Sequence, residues 1–332
     1  LREAVIPVSW ILEIVKATLS AVAVFTFAAV FAAMLGVYLE RKISGWIQAR
    51  VGPKHVGPQG ILQTVADTIK LLQKENIVPR HADYLVFSSA PLIVTVAALL
   101  GYVVIPWGKL GDWVLIVRDL NIGVLYFAAM SSLVVIGILT GGWSSNNKYA
   151  LLGGLRSASQ LISYELPLGF AIISVAMMAG SLSTVEIVNA QQDVWFVFKQ
   201  PLAFLIFLTA AAAETNRVPF DLPEAESELV AGYFAEYTGM RFALFQLGEY
   251  AEMLAMAAMT TVLFLGGWRG PWLPPILWFF IKTYAVVFFF MWVRWTYPRL
   301  RIDQLLNLSW KVLLPLGLLN ILVTGLVVTL AR

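Results

Sequence analysis

Carboxylates are the chemical groups this sequence offers in the most telling places. The stretch "ETNRVPFDLPEAESELVAGY" runs from Glu214 to Tyr233 and carries Asp221, Glu224, Glu226 and Glu228 in eight residues. Three further acids stand inside apolar segments: Glu165 in "SYELPLG", Glu249 in "QLGEYAEML", and Glu252 one turn beyond it on the same helical face. A charge at the centre of a bilayer costs about 3 kcal/mol on insertion scales. Neutralisation is the usual escape, and a carboxyl neutralised in this way can exchange protons at cellular pH. Two readings are open for each acid. It pairs with Arg or Lys for structure, or it belongs to a proton relay or hydrated polar cavity. Lys282 is the main intramembrane cation, so the set as a whole favours the relay. For the acids of the quoted stretch a solvated surface loop is the plainer alternative. A helix starting near Glu224 would favour acids in its first turn through its dipole, which leaves Asp221 unexplained.

Other chemistries are excluded. There is no cysteine, and His55 and His81 are the only histidines. Structural disulfides, thiolate-bound iron–sulfur clusters and a His-rich metal site cannot be built by this chain alone. If electrons are involved, a partner protein carries them.

The elements that must hold these acids are membrane helices. The 332 residues are 59% hydrophobic and 13% charged, with mean hydropathy +0.78, against a charged share of about a quarter in soluble domains. A span needs roughly 20 apolar residues. Eight such stretches are expected, at 10–39, 84–105, 124–143, 157–180, 194–213, 242–265, 276–293 and 308–330, giving an all-α integral membrane protein with both termini on the same side. The first stretch is long enough to tilt or to project beyond the bilayer. The whole chain, 1–332, reads as a single polytopic membrane domain. It opens on Leu1 instead of Met, so its natural start is expected upstream. Loops 40–83, 144–156, 214–241 and 294–307 carry fourteen Lys and Arg, the opposite loops and termini six. That asymmetry places the first set in the cytoplasm. The net charge of +3 accordingly speaks to orientation and not to a nucleic-acid partner.

Two cytoplasmic loops, 41–83 and 214–241, are long. In the first, Ile61, Leu62, Val65, Ala66, Ile69 and Leu72 recur at helical spacing with Gln63, Thr64, Asp67, Lys70 and Lys74 opposite. This predicts an amphipathic helix in the interface or against a neighbouring protein, preceded by the rigid Gly-Pro turns of "RVGPKHVGPQG". Pro219 and Pro223 exclude a regular helix between Arg217 and Glu224. Pro167, two residues after Glu165, frees the carbonyl of Ser163 from its helical partner. Trp46 and Trp143 read as interface anchors.

Three segments carry a family resemblance: "ERKISGWIQARVGPKHVGPQGILQTVADTIKLLQKE", "NNKYALLGGLRSASQLISYE" and "ETNRVPFDLPEAESELVAGYFAEYTGMRFALFQLGEYAEM". In this order they resemble the H subunit of NADH-quinone oxidoreductase, the respiratory complex I component also known as mitochondrial NADH dehydrogenase subunit 1. The resemblance covers nearly the whole chain. It implies a membrane subunit that lines a quinone tunnel and anchors the peripheral electron-transfer arm, with quinone as substrate. Flavin and iron–sulfur clusters are then expected in partner subunits, the terminal cluster in one that shares the quinone chamber, with antiporter-like subunits in the membrane. The tunnel-lining role maps onto Arg41, Arg50, Asp67, Arg217, Phe220 and Asp221. The acidic, proton-coupling path maps onto Glu165, Glu214, Glu224, Glu226, Glu228 and Glu249. The implied location is the inner (plasma) membrane of a cell, or the mitochondrial inner membrane for an organellar chain. One departure stands in the third span, where Ser131 and Ser132 occupy a segment in which some bacterial relatives place a carboxylate, so a relay through this helix needs water or another acid. Rival readings are the equivalent component of a membrane-bound hydrogenase, a stand-alone ion-coupled carrier (no inverted repeat is visible), and a plain membrane anchor.

Overall fold

The computed structural model describes residues 18–19, 21–22, 25–26, 35–111, 113–223 and 226–331. Its helices, in chain order, are α1 (Val37–Ile47), α2 (Gln63–Gln73), α3 (Tyr84–Leu100), α4 (Gly123–Ser144), α5 (Lys148–Ala179), α6 (Thr184–Asn189), α7 (Phe196–Lys199), α8 (Pro201–Glu214), α9 (Glu226–Leu229), α10 (Gly239–Phe264), α11 (Pro275–Thr296), α12 (Ile302–Asn307) and α13 (Leu314–Ala331). A π-helical turn, Leu308–Leu313, joins α12 to α13. A two-residue hairpin between α3 and α4 pairs Lys109 with Val114 and Leu110 with Trp113.

Among the described residues five helical stretches are long and apolar enough to cross a membrane: Tyr84–Val104, Gly123–Ser144, Lys148–Ala179, Pro275–Thr296 and Ile302–Leu330. The all-α membrane class stands on these. Of the other three expected spans, two differ from these for physical reasons. Most of 10–39 lies outside the described residues. The 194–213 stretch is interrupted at Gln200, whose backbone leaves the helical region (φ −135, ψ 62), and Pro201 starts a new helix of 14 residues. Such a helix is about 21 Å long, less than the hydrocarbon core. The 242–265 stretch becomes α10, 26 residues long, whose Glu249 and Glu252 make it less apolar than the five.

One boundary is corrected. Residues 148–156 are not loop but the first turns of α5, a helix of 32 residues whose N-cap Asn147 accepts from the Tyr149 N–H. Lys148 and Arg156 give that stretch a polar look without any helix breaker. Glu165 therefore lies near the middle of this helix.

α10 is the axis of the molecule. Every residue from Gly248 to Phe264 is buried, and α3, α8, α11 and the amphipathic α2 pack around it. α3 also packs on α4, α4 on α5, and α5 on α8 and α13. Small residues permit the closest approaches: a Cβ on Gly153 would meet the Gly232 Cα at 2.8 Å. Pro167 and Pro91 sit inside α5 and α3, and in each of these two cases a distant hydroxyl takes the carbonyl that the ring strips of its partner. Ser309, in the π turn, donates to the Ser163 carbonyl at 2.5 Å, the one Pro167 frees. Tyr237 donates to the Phe87 carbonyl at 3.1 Å and stacks on the Phe87 ring, answering Pro91.

Candidate functional site

Where α1, α2 and α10 meet, they enclose a cavity of about 350 Å³, within the range of small-molecule sites. Val37, Leu71, Met240, Phe242 and Leu247 supply apolar walls, while Arg41, Thr64, Asp67, Gln246 and Tyr250 supply polar groups. Arg41 Nη1 lies 2.5 Å from Asp67 Oδ2, and Gln63 donates to Asp67 Oδ1 at 3.1 Å. Burial pushes the Asp67 carboxyl up, but these two bonds and the charges of Arg41 and Lys70 outweigh it and hold the group below its ordinary value. The Thr64 hydroxyl is buried with no hydrogen-bond partner among the described residues.

For the amphipathic helix, the sequence predicts an apolar face turned to lipid or a neighbour. In the structure Thr64 and Asp67 face the cavity, while Ile69 and Leu72 are 50% and 60% exposed. Thr64, Asp67 and Leu71 thus face the chain's own cavity, while Ile69 and Leu72 point outward together with Lys70 and Lys74.

Behind the cavity is a charge cluster that sequence reasoning missed. Glu40 on α1 is buried and accepts from Arg217 at 3.1 and 3.2 Å and also from Arg294 on α11. The Arg217 guanidinium lies 4.4 Å from the centre of the Tyr250 ring, a cation–π contact, and Tyr250 lines the cavity. Glu40 opens the "ERK" of the first family segment. A carboxylate at the inner end of an apolar run was the available signal; its partners are 177 and 254 residues away.

The remaining expected tunnel residues lie elsewhere. Arg50 is exposed and donates to Gln48 at 2.5 Å. Phe220 is buried edge-to-face against Tyr164. Asp221 is buried with Arg299 Nη2 at 3.0 Å from Oδ2; burial, with Glu249 adding to it, pushes its carboxyl up to about 6 against the pull of Arg299 and Arg217. The structure thus brings Arg41 and Asp67 together on the cavity wall, sets Arg217 one ring behind it, and leaves Arg50, Phe220 and Asp221 off it.

The acids stand close enough in turn to feel one another's charge. Asp221 is within electrostatic reach of Glu249, Glu249 of Glu252, Glu252 of Glu214, and Glu214 of Glu165. Glu249, Glu252 and Glu214 are all buried, Glu165 only partly. Tyr233 donates to Glu249, and Ser132 donates to Glu165. Neither Glu165, Glu214, Glu249 nor Glu252 has an ion pair among the described residues. Lys282, the main intramembrane cation, donates to the carbonyls of Leu265, Gly267 and Arg269 just beyond α10. That is a favourable place for a cation, at a helix C-terminus. The loop acids divide. Glu228 is an exposed partner of Arg156 at 2.6 Å, the ordinary surface pairing. Glu224 and the side chain of Glu226 lie outside the described residues.

Comparison with known proteins covers most of the same chain. The family model described as NADH dehydrogenase matches residues 19–325. The chain is 52% identical to the H subunit numbered 1 of the NADH-quinone oxidoreductase of Geobacter metallireducens, over 94% of this chain and 96% of the relative. It is 54% identical to the H subunit of the same enzyme in Syntrophotalea carbinolica over 95% and 96%, and 53% identical to the H subunit numbered 2 of Geobacter sulfurreducens over 92% and 94%. With a cavity and a buried acid series built from the segments that carried the resemblance, the chain belongs to the family of NADH-quinone oxidoreductase H subunits.

Proposed function

We propose that this membrane subunit forms one wall of the quinone chamber of its complex and couples quinone reduction to proton translocation through its buried acids. The observation that carries the reading is the acid series Asp221–Glu249–Glu252–Glu214–Glu165, whose four glutamates have no ion pair among the described residues. It begins behind the cavity wall: Glu249 adjoins Tyr250, a lining residue. Quinone enters the apolar cavity. Its carbonyl oxygens meet donors there, Thr64 and Arg41 being the candidates. Reduction takes up two electrons from a partner's iron–sulfur cluster and two protons, which changes the charge balance beside Tyr250 and the Glu40–Arg217–Arg294 cluster. Carboxylates without fixed counter-charges respond by taking up or releasing protons, since nothing holds them permanently ionised. Glu165, the partly exposed end of the series, hands the change to an antiporter-like neighbour. Loops 41–83 and 214–241 face the peripheral arm on the cytoplasmic side of a cell membrane, and the outward Ile69 and Leu72 of α2 meet lipid or a partner.

The test is quinone reduction and membrane-potential generation measured side by side in vesicles carrying the intact complex with Glu214→Gln. We expect the potential to be lost, with quinone reduction retained or lost with it while every subunit stays present. Both activities at wild-type rates would remove Glu214 from the coupling route and the reading with it.

A further inference from the structure

The hydroxyl of Ser132 stands between two acceptors. Its Oγ lies 2.9 Å from the Ala128 carbonyl, one turn earlier on α4, and it also donates to Glu165 Oε1 across on α5. A serine hydroxyl has one proton and two lone pairs, so it serves one of these acceptors at a time. An ionised carboxylate only accepts, whereas a protonated carboxyl donates through its own O–H. Two arrangements therefore satisfy the same atoms. With Glu165 ionised, Ser132 turns its proton to Oε1. With Glu165 protonated, the carboxyl O–H donates to Ser132 Oγ, and the hydroxyl turns its proton to the Ala128 carbonyl.

We propose that Ser132 is a positioning residue that holds Glu165 in one place in both of its charge states. Among the described residues Ser132 is the only hydrogen-bond partner of the Glu165 side chain, and no Arg or Lys pairs with it. A cationic partner would favour the ionised form alone; a hydroxyl serves both. Ser132 keeps its own proton throughout. A proton arriving at a Glu165 oxygen forms the carboxyl O–H there, the hydroxyl turns, and departure of that proton reverses the turn. The preceding residue, Ser131, bonds only to the Ala128 carbonyl, at 2.9 Å, and lines a cavity of about 10 Å³ with Glu252. It offers a matched control, a hydroxyl of the same kind that does not touch Glu165.

This proposal rests on Glu165 being a proton-carrying member of the acid series, and the experiment separates the two. Complexes with Ser132→Ala, Ser132→Thr, Ser131→Ala and Glu165→Gln are reconstituted in vesicles, with subunit content checked. Two quantities are read: potential generated per quinone reduced, and the infrared band of the Glu165 carboxyl, assigned by its disappearance in Glu165→Gln. We expect Ser132→Ala to move that band to higher frequency and to lower the potential-to-reduction ratio by about fivefold, the factor of one hydrogen bond. Ser132→Thr should restore both, and Ser131→Ala should leave the band in place. A band and ratio unchanged in Ser132→Ala, while Glu165→Gln abolishes the potential, would overturn the role of Ser132 and spare that of Glu165. Failure of Thr to rescue an assembled complex would assign the effect to packing, which also overturns it. Full potential in Glu165→Gln would sink the underlying reading and this one together.

Discussion

Replacing Glu40 with Gln tests what holds the loop after α8 against the helices. The carboxylate is 6% exposed and is shared by Arg217 and Arg294, whose side chains are 12% and 31% exposed. Truncating one member of a buried ion cluster costs about 3–5 kcal/mol, because the charges left behind stay desolvated. Gln keeps one carbonyl oxygen for one arginine, and Arg294 has enough exposure to rehydrate, so the lower end applies, about 3 kcal/mol. Arg217 would keep its contact with the Tyr250 ring but lose the charged partner that ties it to α1. Release of the loop should become about a hundredfold easier. Hydrogen exchange of the intact complex reads this directly. The Phe220 N–H is bonded to the Arg217 carbonyl at 2.8 Å and the Leu300 N–H to the Pro219 carbonyl at 3.1 Å, so both amides should exchange about a hundredfold faster in Glu40→Gln, with Glu40→Asp in between. Exchange at Phe220 and Leu300 within about twofold of wild type would refute the claim that this carboxylate anchors the loop.

Two further outcomes are expected. Asp221 is raised from 3.8 to about 6 in the fold, so its contribution to stability is full below about pH 4 and is lost as pH rises through about 6, a swing of roughly 2–3 kcal/mol. Exchange at the Leu222 amide, corrected for the intrinsic rate, should quicken over that window and lose this dependence in Asp221→Asn; the same slope in the variant would place the titration on another group. Ser309→Ala should lower thermal resistance of the complex by about 1–3 kcal/mol by orphaning the Ser163 carbonyl. In a Pro167→Ala background, where the helix supplies its own N–H, that cost should largely vanish, and simple additivity in the double-mutant cycle would refute the pairing.

What could be read from the chain beforehand follows a physical line. Helix content and class were legible because lipid-spanning runs such as 124–143 and 276–293 must be apolar along their whole length. The Ser163 carbonyl freed by Pro167 was legible too, since a proline's loss of an N–H is a local fact. The start of α5 was not, because Lys148 and Arg156 are equally at home in a loop and on a helix that emerges from the membrane. Nor was the break at Gln200 and Pro201, which shortens a stretch that hydropathy alone reads as continuous. Among the acids, Glu214, Glu249 and Glu165 announced themselves by apolar neighbours, and the structure finds them without ion pairs among the described residues. Glu228 shared their segment yet pairs at the surface with Arg156. Glu40 was passed over because its partners come from helices and loops far along the chain, a relation that spacing does not encode. Asp221 and Phe220 were assigned to the quinone by their segment, and their contacts with Arg299 and Tyr164, which come from distant parts of the chain, were not legible.

The bond from Tyr237 to the carbonyl freed by Pro91 also constrains the order in which lineages can change. A chain that loses Pro91 first regains an ordinary helical bond at Phe87, and the tyrosine hydroxyl becomes dispensable. A chain that loses Tyr237 first strands a carbonyl inside the bundle and must pass through a weakened intermediate. Substitution at these two positions, 146 residues apart, should therefore run in one direction: among relatives, proline without the tyrosine ought to be scarce, and tyrosine without the proline tolerated.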